Sequence, residues 1–169
     1  EFMAKNRFSL VAPDGQRTDW VELYNPTDED VDLGGWAMTR DFEQPGMSLL
    51  RAGLVVPAGG YLILHADGEQ GLGPDHLGFK LPRAGGQIAL VAPDGSFMDK
   101  LEYGEQTTDL SASRTPDGSD QWQVVFDVSP GAANPAGEGS PIADASIIQS
   151  VPEAGDVSEQ LLHEDVIAE

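Results

Sequence analysis

The chain has 169 residues, which on size alone makes one domain or one domain with a tail. Hydrophobic residues make up 40 % and cysteine is absent, so a buried core is within reach while disulfide scaffolds, thiolate zinc sites and cysteine nucleophiles are excluded. Nine Lys plus Arg against 29 Asp plus Glu leave a formal net charge of -20, a field that repels nucleic-acid phosphates and anionic lipid head groups. That field suits cationic partners, divalent cations or a high-salt habitat, and solubility alone is sufficient reason for it. No apolar run reaches bilayer-spanning length, and no signal-peptide pattern opens the chain. Position 1 is Glu, so the expectation is a fragment or a mature form.

In chain order, Val11-Ala-Pro-Asp-Gly15 marks a turn. Asp19-Trp-Val-Glu-Leu-Tyr24 alternates two classes of side chain and predicts a strand. Asn25-Pro26 ends it, and Thr27-Asp-Glu-Asp30 is a solvated acidic loop. Val31 and Leu33 lead through Gly34-Gly35 into a second short strand at Trp36–Thr39. Met47–Leu50 and Leu54–Val56 are shorter apolar pieces, and Tyr61–His65 reads as a central strand. Phe79–Leu81, Gln87–Val91, Phe97–Tyr103, Ala112–Arg114 and Gln121–Phe126 complete the predicted strands, with a hairpin at Ala92-Pro-Asp-Gly95.

Turns recur at sandwich-like intervals. Pro-Asp-Gly stands at Pro13, Pro93 and Pro116, as repeated turn chemistry and not as an internal repeat. Past Asn134 the composition changes to that of a linker, Pro135 to Pro141. Further on, Val157, Leu161, Leu162 and Ile167 fall on one helical face behind an Asp156 N-cap, which predicts a short amphipathic helix. It either docks on the sandwich or begins a following domain. The organisation is therefore a β-sandwich over 1–134 followed by a linker and tail over 135–169.

Several blocks, taken in order, resemble the lamin tail domain, an immunoglobulin-like fold of nuclear lamins and of many bacterial surface or secreted proteins. They are Glu1–Asn6, Asp19–Pro26 with Val31–Trp36, Val56–Leu62, His76–Leu81 with Gly85–Leu90, Pro93–Gly95, Tyr103-Gly104, Arg114–Gly118 and Ser129–Asn134. Their order and spacing carry the resemblance, and the bacterial form fits better, because nothing here continues the heptad pattern of a nuclear lamin rod. Glu1–Asn6 is similar to the opening strand of the bacterial forms, so Glu1-Phe-Met-Ala4 is read as an authentic edge strand and not as a cloning scar. The resemblance implies an all-β, immunoglobulin-like sandwich without catalysis. It further implies a binding or architectural module of a bacterial secreted or cell-surface protein. Its partner would be a protein or a neighbouring subunit, with no nucleic acid and no membrane insertion. Similar proteins pair the domain with spore-coat-kinase-like or nuclease modules, so an accessory domain of a larger enzyme is the alternative. A subunit of an extracellular filament, donating Glu1–Ala4 or its tail to a neighbour's sheet edge, is a third.

Within this frame Trp20, Trp36 and Trp122 are expected to organise the inter-sheet core. Glu22 either faces outward or pairs across the sheet with Arg114 or Lys80. The Gly pairs at Gly34, Gly59 and Gly85 are read as backbone conformations that a Cβ resists. Catalytic signatures are missing: no Gly-x-Ser-x-Gly elbow and no His-Glu-x-x-His helix occurs. His65, His76 and His163 read as packing or surface residues. No cofactor is expected. Calcium is the one metal left open, with Asp28, Glu29, Asp30 and Asp32 as candidate ligands in one loop and Asp67, Glu69 and Asp75 flanking another.

Overall fold

A computed structural model describes residues 1–135, 140–141 and 148–150. Strand β2 (Asp19–Tyr24) shows how local pattern becomes architecture. Its alternation sends Val21 and Leu23 into the space between two sheets, while Trp20 and Glu22 point the other way. β2 pairs in register with β7 (Tyr61–Ala66) from Asp19↔Ala66 to Tyr24↔Tyr61. On its other side lies β1 (Phe2–Met3), followed by β10 (Ser111–Arg114) and β11 (Trp122–Val125).

The facing sheet is built on the hairpin β8 (Gly86–Val91) and β9 (Phe97–Tyr103), extended by β4 (Ala37–Thr39) and β5 (Ser48–Leu49). A two-stranded ribbon, β3 (Val31–Asp32) with β6 (Val55–Val56), stands apart from both. All pairings between named strands are antiparallel, and no helix occurs among the described residues. The expected all-β, immunoglobulin-like sandwich is present. Its core joins Phe2, Val21, Leu64 and Ala112 from one sheet to Met38, Ile88, Leu101 and Tyr103 from the other.

Each outer face is covered differently. On the five-stranded sheet, Ala37, Ala89 and Val91 pack under Phe42 and Phe97, and the Lys100 ammonium lies 6.0 and 5.1 Å from the two ring centroids. On the β1–β2 sheet, Met3 and Trp20 are adjacent in register and fully buried outside the inter-sheet core. The Ser9 hydroxyl lies 3.2 Å from the Met3 sulfur, and Gly131 reaches Glu22, so two loops lie over this face.

Two of the Pro-Asp-Gly turns close alike. Gly15 and Gly95 have φ of 84° and 89°, and each donates its amide to the Ala three residues earlier at 2.9 Å. Asp14 and Asp94 each accept the amide two residues on, at 2.9 Å. Gly118 in the third turn also has positive φ, 72°.

Four expectations are corrected. β1 is not an edge strand: it lies between β10 and β2, with Phe2 and Met3 buried. Phe79–Leu81 forms no ladder strand. Leu77, Phe79 and Leu81 are buried along an irregular segment whose backbone meets β7 and its continuation through the isolated bridges His65↔His76 and Asp67↔Lys80. Trp20 belongs to the outer face, while Trp36 and Trp122 pack half-buried against the core. β7, read as a central strand, lies at the end of its sheet and is laddered to β2 alone among the named strands. Past Asn134, Ser140–Pro141 (β12) pairs with β11 and Ile148–Ser150 (β13) pairs with β9. The helix expected behind Asp156 lies outside the described residues.

Candidate functional site

Carboxylates gather at the end of β1, on the outer face of its sheet. Glu22 is 6 % exposed, because β2 turns it to the same side as Trp20 and the Ser129–Asn134 segment crosses above it. Its carboxylate accepts the Gly131 amide. Glu1 accepts the Ser111 hydroxyl and lies 3.4 Å from that of Ser129. Asp117 accepts the Tyr61 hydroxyl at 2.7 Å and the Asn134 amide at 3.2 Å, and the Asn134 side chain donates to the Arg114 carbonyl at 3.0 Å. These carboxylates thus tie residues 129–134 to the sheet.

Burial pushes the Glu22 carboxyl up to about 7 against the pull of the Gly131 amide, and the Glu1 and Asp117 charges push the same way. Burial likewise raises Glu1, and burial with the Asp117 carboxylate holds the Tyr61 hydroxyl well above its ordinary value. Neither sequence reading of Glu22 holds, since it faces neither open solvent nor Arg114 or Lys80. Arg114 instead grips Asp99 of the facing sheet at 2.8 and 3.0 Å, with its guanidinium 4.6 Å from the Trp122 ring centroid. That contact straps the two sheets together.

A second polar cluster lies beside β7. His65 and His76 are buried with rings 5.1 Å apart. His76 Nδ1 lies 2.5 Å from Asp67, and His65 Nδ1 lies 2.9 Å from the Thr18 hydroxyl. Burial pushes His65 below its ordinary value. Both imidazoles hold structure: His65 also exchanges backbone bonds with Asp75 and Leu77, at 2.7 and 2.8 Å. They are packing residues, while His163 lies outside the described residues.

The candidate calcium ligands line an exposed loop that enters the β3–β6 ribbon. Asp32 accepts the Gly34 and Gly53 amides at 2.8 and 3.2 Å, and Asp30 accepts that of Ala58 at 2.8 Å. Asp28 and Glu29 are exposed. Among the described residues no three His, Asp or Glu side chains are grouped to hold a metal ion, so the structure does not bring Asp28, Glu29, Asp30 and Asp32 together as a ligand set.

Asn25, which the sequence pattern marks only as the end of a strand, ties the acidic loop to the β3–β6 ribbon. It is 5 % exposed, and its amide donates to the carbonyls of Glu29, Val56 and Pro57 at 2.8, 3.2 and 3.1 Å. Asn6 likewise donates to Leu10 and Thr18. The signal was in view, because Asn6, Asn25 and Asn134 each stand in a block that carried the family resemblance.

The family model described as Lamin Tail Domain matches residues 7–105, more than half of the chain. No curated protein and no solved structure matches. The matched stretch stops before β10 and β11, which complete the sheet around β1.

Proposed function

The chain belongs to the lamin tail domain family, and from that premise we propose that it is a noncatalytic binding or architectural module of a bacterial secreted or cell-surface protein. Its partner is another protein or a neighbouring subunit. The observation that supports this reading is the occupation of the buried polar groups. Glu1, Glu22, Asp117, Asp67 and both buried imidazoles are engaged in bonds that hold loops to sheets, so each of these groups has a structural role. The net charge of -20 disfavours nucleic acid and anionic lipid as partners.

Two measurements test it. The purified chain should show no turnover on ester, phosphate or glycan panels; turnover lost on Asp67→Asn substitution would overturn the noncatalytic reading. Protease treatment of intact cells of the native host should remove the protein, and complete protection would place it inside.

A further inference from the structure

Apart from β12 and β13, the two sheets end at β11 and β9. Both ends lie on one flank of the sandwich, because Arg114, paired in register with Trp122 of β11, grips Asp99 of β9. β12 closes the first end through Gln123↔Pro141 and Val124↔Ser140. β13 closes the second, from Ile148↔Tyr103 to Ser150↔Leu101. The chain beyond Asn134 thus supplies the outermost strand of both sheets.

This closure is thin. β12 covers two residues of β11, one of them opposite Pro141, which has no N–H to give. β13 covers three of the seven residues of β9. Short terminal pairings belong to the least stable part of a fold and open at small cost. An opened edge is a template for another strand. Asn134 itself is tied to Asp117 and to the Arg114 carbonyl. That leaves residues 135–139, Pro-Ala-Gly-Glu-Gly in sequence, as the connector on which β12 and β13 turn.

The strands that fit these edges are β12 and β13, and a second copy of the chain brings the same two. Residues 140–150 carry a single charge, Asp144, where 22 % of the chain is charged, so they bring little repulsion to a second copy of net charge -20.

We propose that two copies of this chain exchange β12 and β13, each closing the β11 and β9 edges of the other in the registers held within one chain. The proposal rests on the reading of a neighbouring subunit as partner and names its contact. The exchange is reciprocal, so it closes as a two-fold dimer. Closure within one chain competes at an effective concentration in the millimolar range, as a short connector gives. Exchange therefore belongs to crowded copies and is scarce in dilute solution.

The chain has no cysteine, and Gln149 stands opposite Glu102 in register, at a Cα spacing that a disulfide accepts. When full-length Glu102→Cys and Gln149→Cys variants are mixed and oxidised, the 102–149 disulfide can form only between copies. About 0.5 M sodium chloride screens the repulsion between the acidic chains. The yield of that heterodimer should rise at least about tenfold from ~10 µM to ~1 mM protein. It should also exceed, at least about fivefold, the heterodimer of Gln149→Cys with Asp94→Cys, a position in the turn at the other end of β9. A yield no greater than this control at the higher concentration would overturn the proposal. Placed in one chain, Glu102→Cys and Gln149→Cys should form an intrachain disulfide in dilute solution, and the locked protein should then stay monomeric on size exclusion at any concentration. Dimers that persist in the locked chain would equally overturn it. Absence of exchange leaves the noncatalytic reading standing, whereas turnover on the substrate panels strikes that reading alone.

Discussion

Glu22 accepts a hydrogen bond from the backbone amide of Gly131, 109 residues further along the chain. That single contact turns a β2 side chain into the anchor of the closing segment, and it places a carboxylate where burial holds its proton up to about 7. Local order on the outer face therefore depends on a long-range pairing that no turn or periodicity announces.

The first prediction follows from the raised acidity. An unfolded Glu22 titrates near 4.5 and the folded one near 7, so the protonated form favours folding. This contribution is complete below about pH 4.5 and is lost as pH rises through about 7. Glu22 should pull the thermal midpoint down between pH 5 and pH 8, against the opposite pull of His65, which burial shifts below its ordinary value. Glu22→Gln, which keeps an acceptor for Gly131, should remove that downward contribution. Glu1 shifts in the same direction and leaves a residual slope. Identical pH profiles for the two proteins would remove Glu22 from the account.

The second concerns the buried pair Asp67 and His76, 2.5 Å apart. Asp67→Ala leaves an imidazole buried without its partner and should cost about 1–3 kcal/mol of stability. His76→Ala should cost a similar amount. In urea denaturation the double variant should lose less than the sum of the two, because the partners act on one bond. Additive losses would mean that the pair is not coupled.

A third separates backbone strain from steric contact. Gly95 has a φ of 89° with open space at its Cβ position, whereas Gly85 has a φ of 116° and a Cβ there would come within 2.7 Å of the Tyr103 carbonyl oxygen. Gly95→Ala should cost about 1 kcal/mol, as expected for a side chain held at positive φ. Gly85→Ala should cost a further ~1–3 kcal/mol, because β8 must move off β9. Equal denaturant midpoints would show that the clash is relieved without cost.

The fourth addresses the acidic loop. Asp30 and Asp32 are bonded to the amides of Ala58, Gly34 and Gly53, so millimolar calcium should leave the thermal midpoint within about 1 °C. A larger rise that disappears in Asp32→Asn would establish a calcium site at this loop.

Local chemistry made much of this protein legible in its sequence. The alternation of Asp19–Tyr24 and the Ala92–Gly95 hairpin formed as read, and the apolar run Tyr61–His65 formed a strand, though at the end of its sheet, because strand periodicity and turn residues act over a few neighbours. The order of the blocks sufficed for the family. Which face of a strand is buried belongs to another scale. Trp20 and Glu22 both alternate outward from the inter-sheet core, against the expectation for Trp20, yet both are buried, because residues 129–134 and the loop around Ser9 lie over them.

Glu1–Ala4 was recognisable as a strand, but its place in the middle of a sheet follows from β10, more than 100 residues away in sequence. The extended Phe79–Leu81 segment shows the converse, since it buries alternate side chains with no strand beside it to form a ladder. The sequence by itself determined most of the strands, the turns and the family, all of which rest on short-range backbone and side-chain preferences. The tertiary structure alone decided burial, sheet position and the acidity of Glu22, because each depends on which distant segment excludes water from a given face.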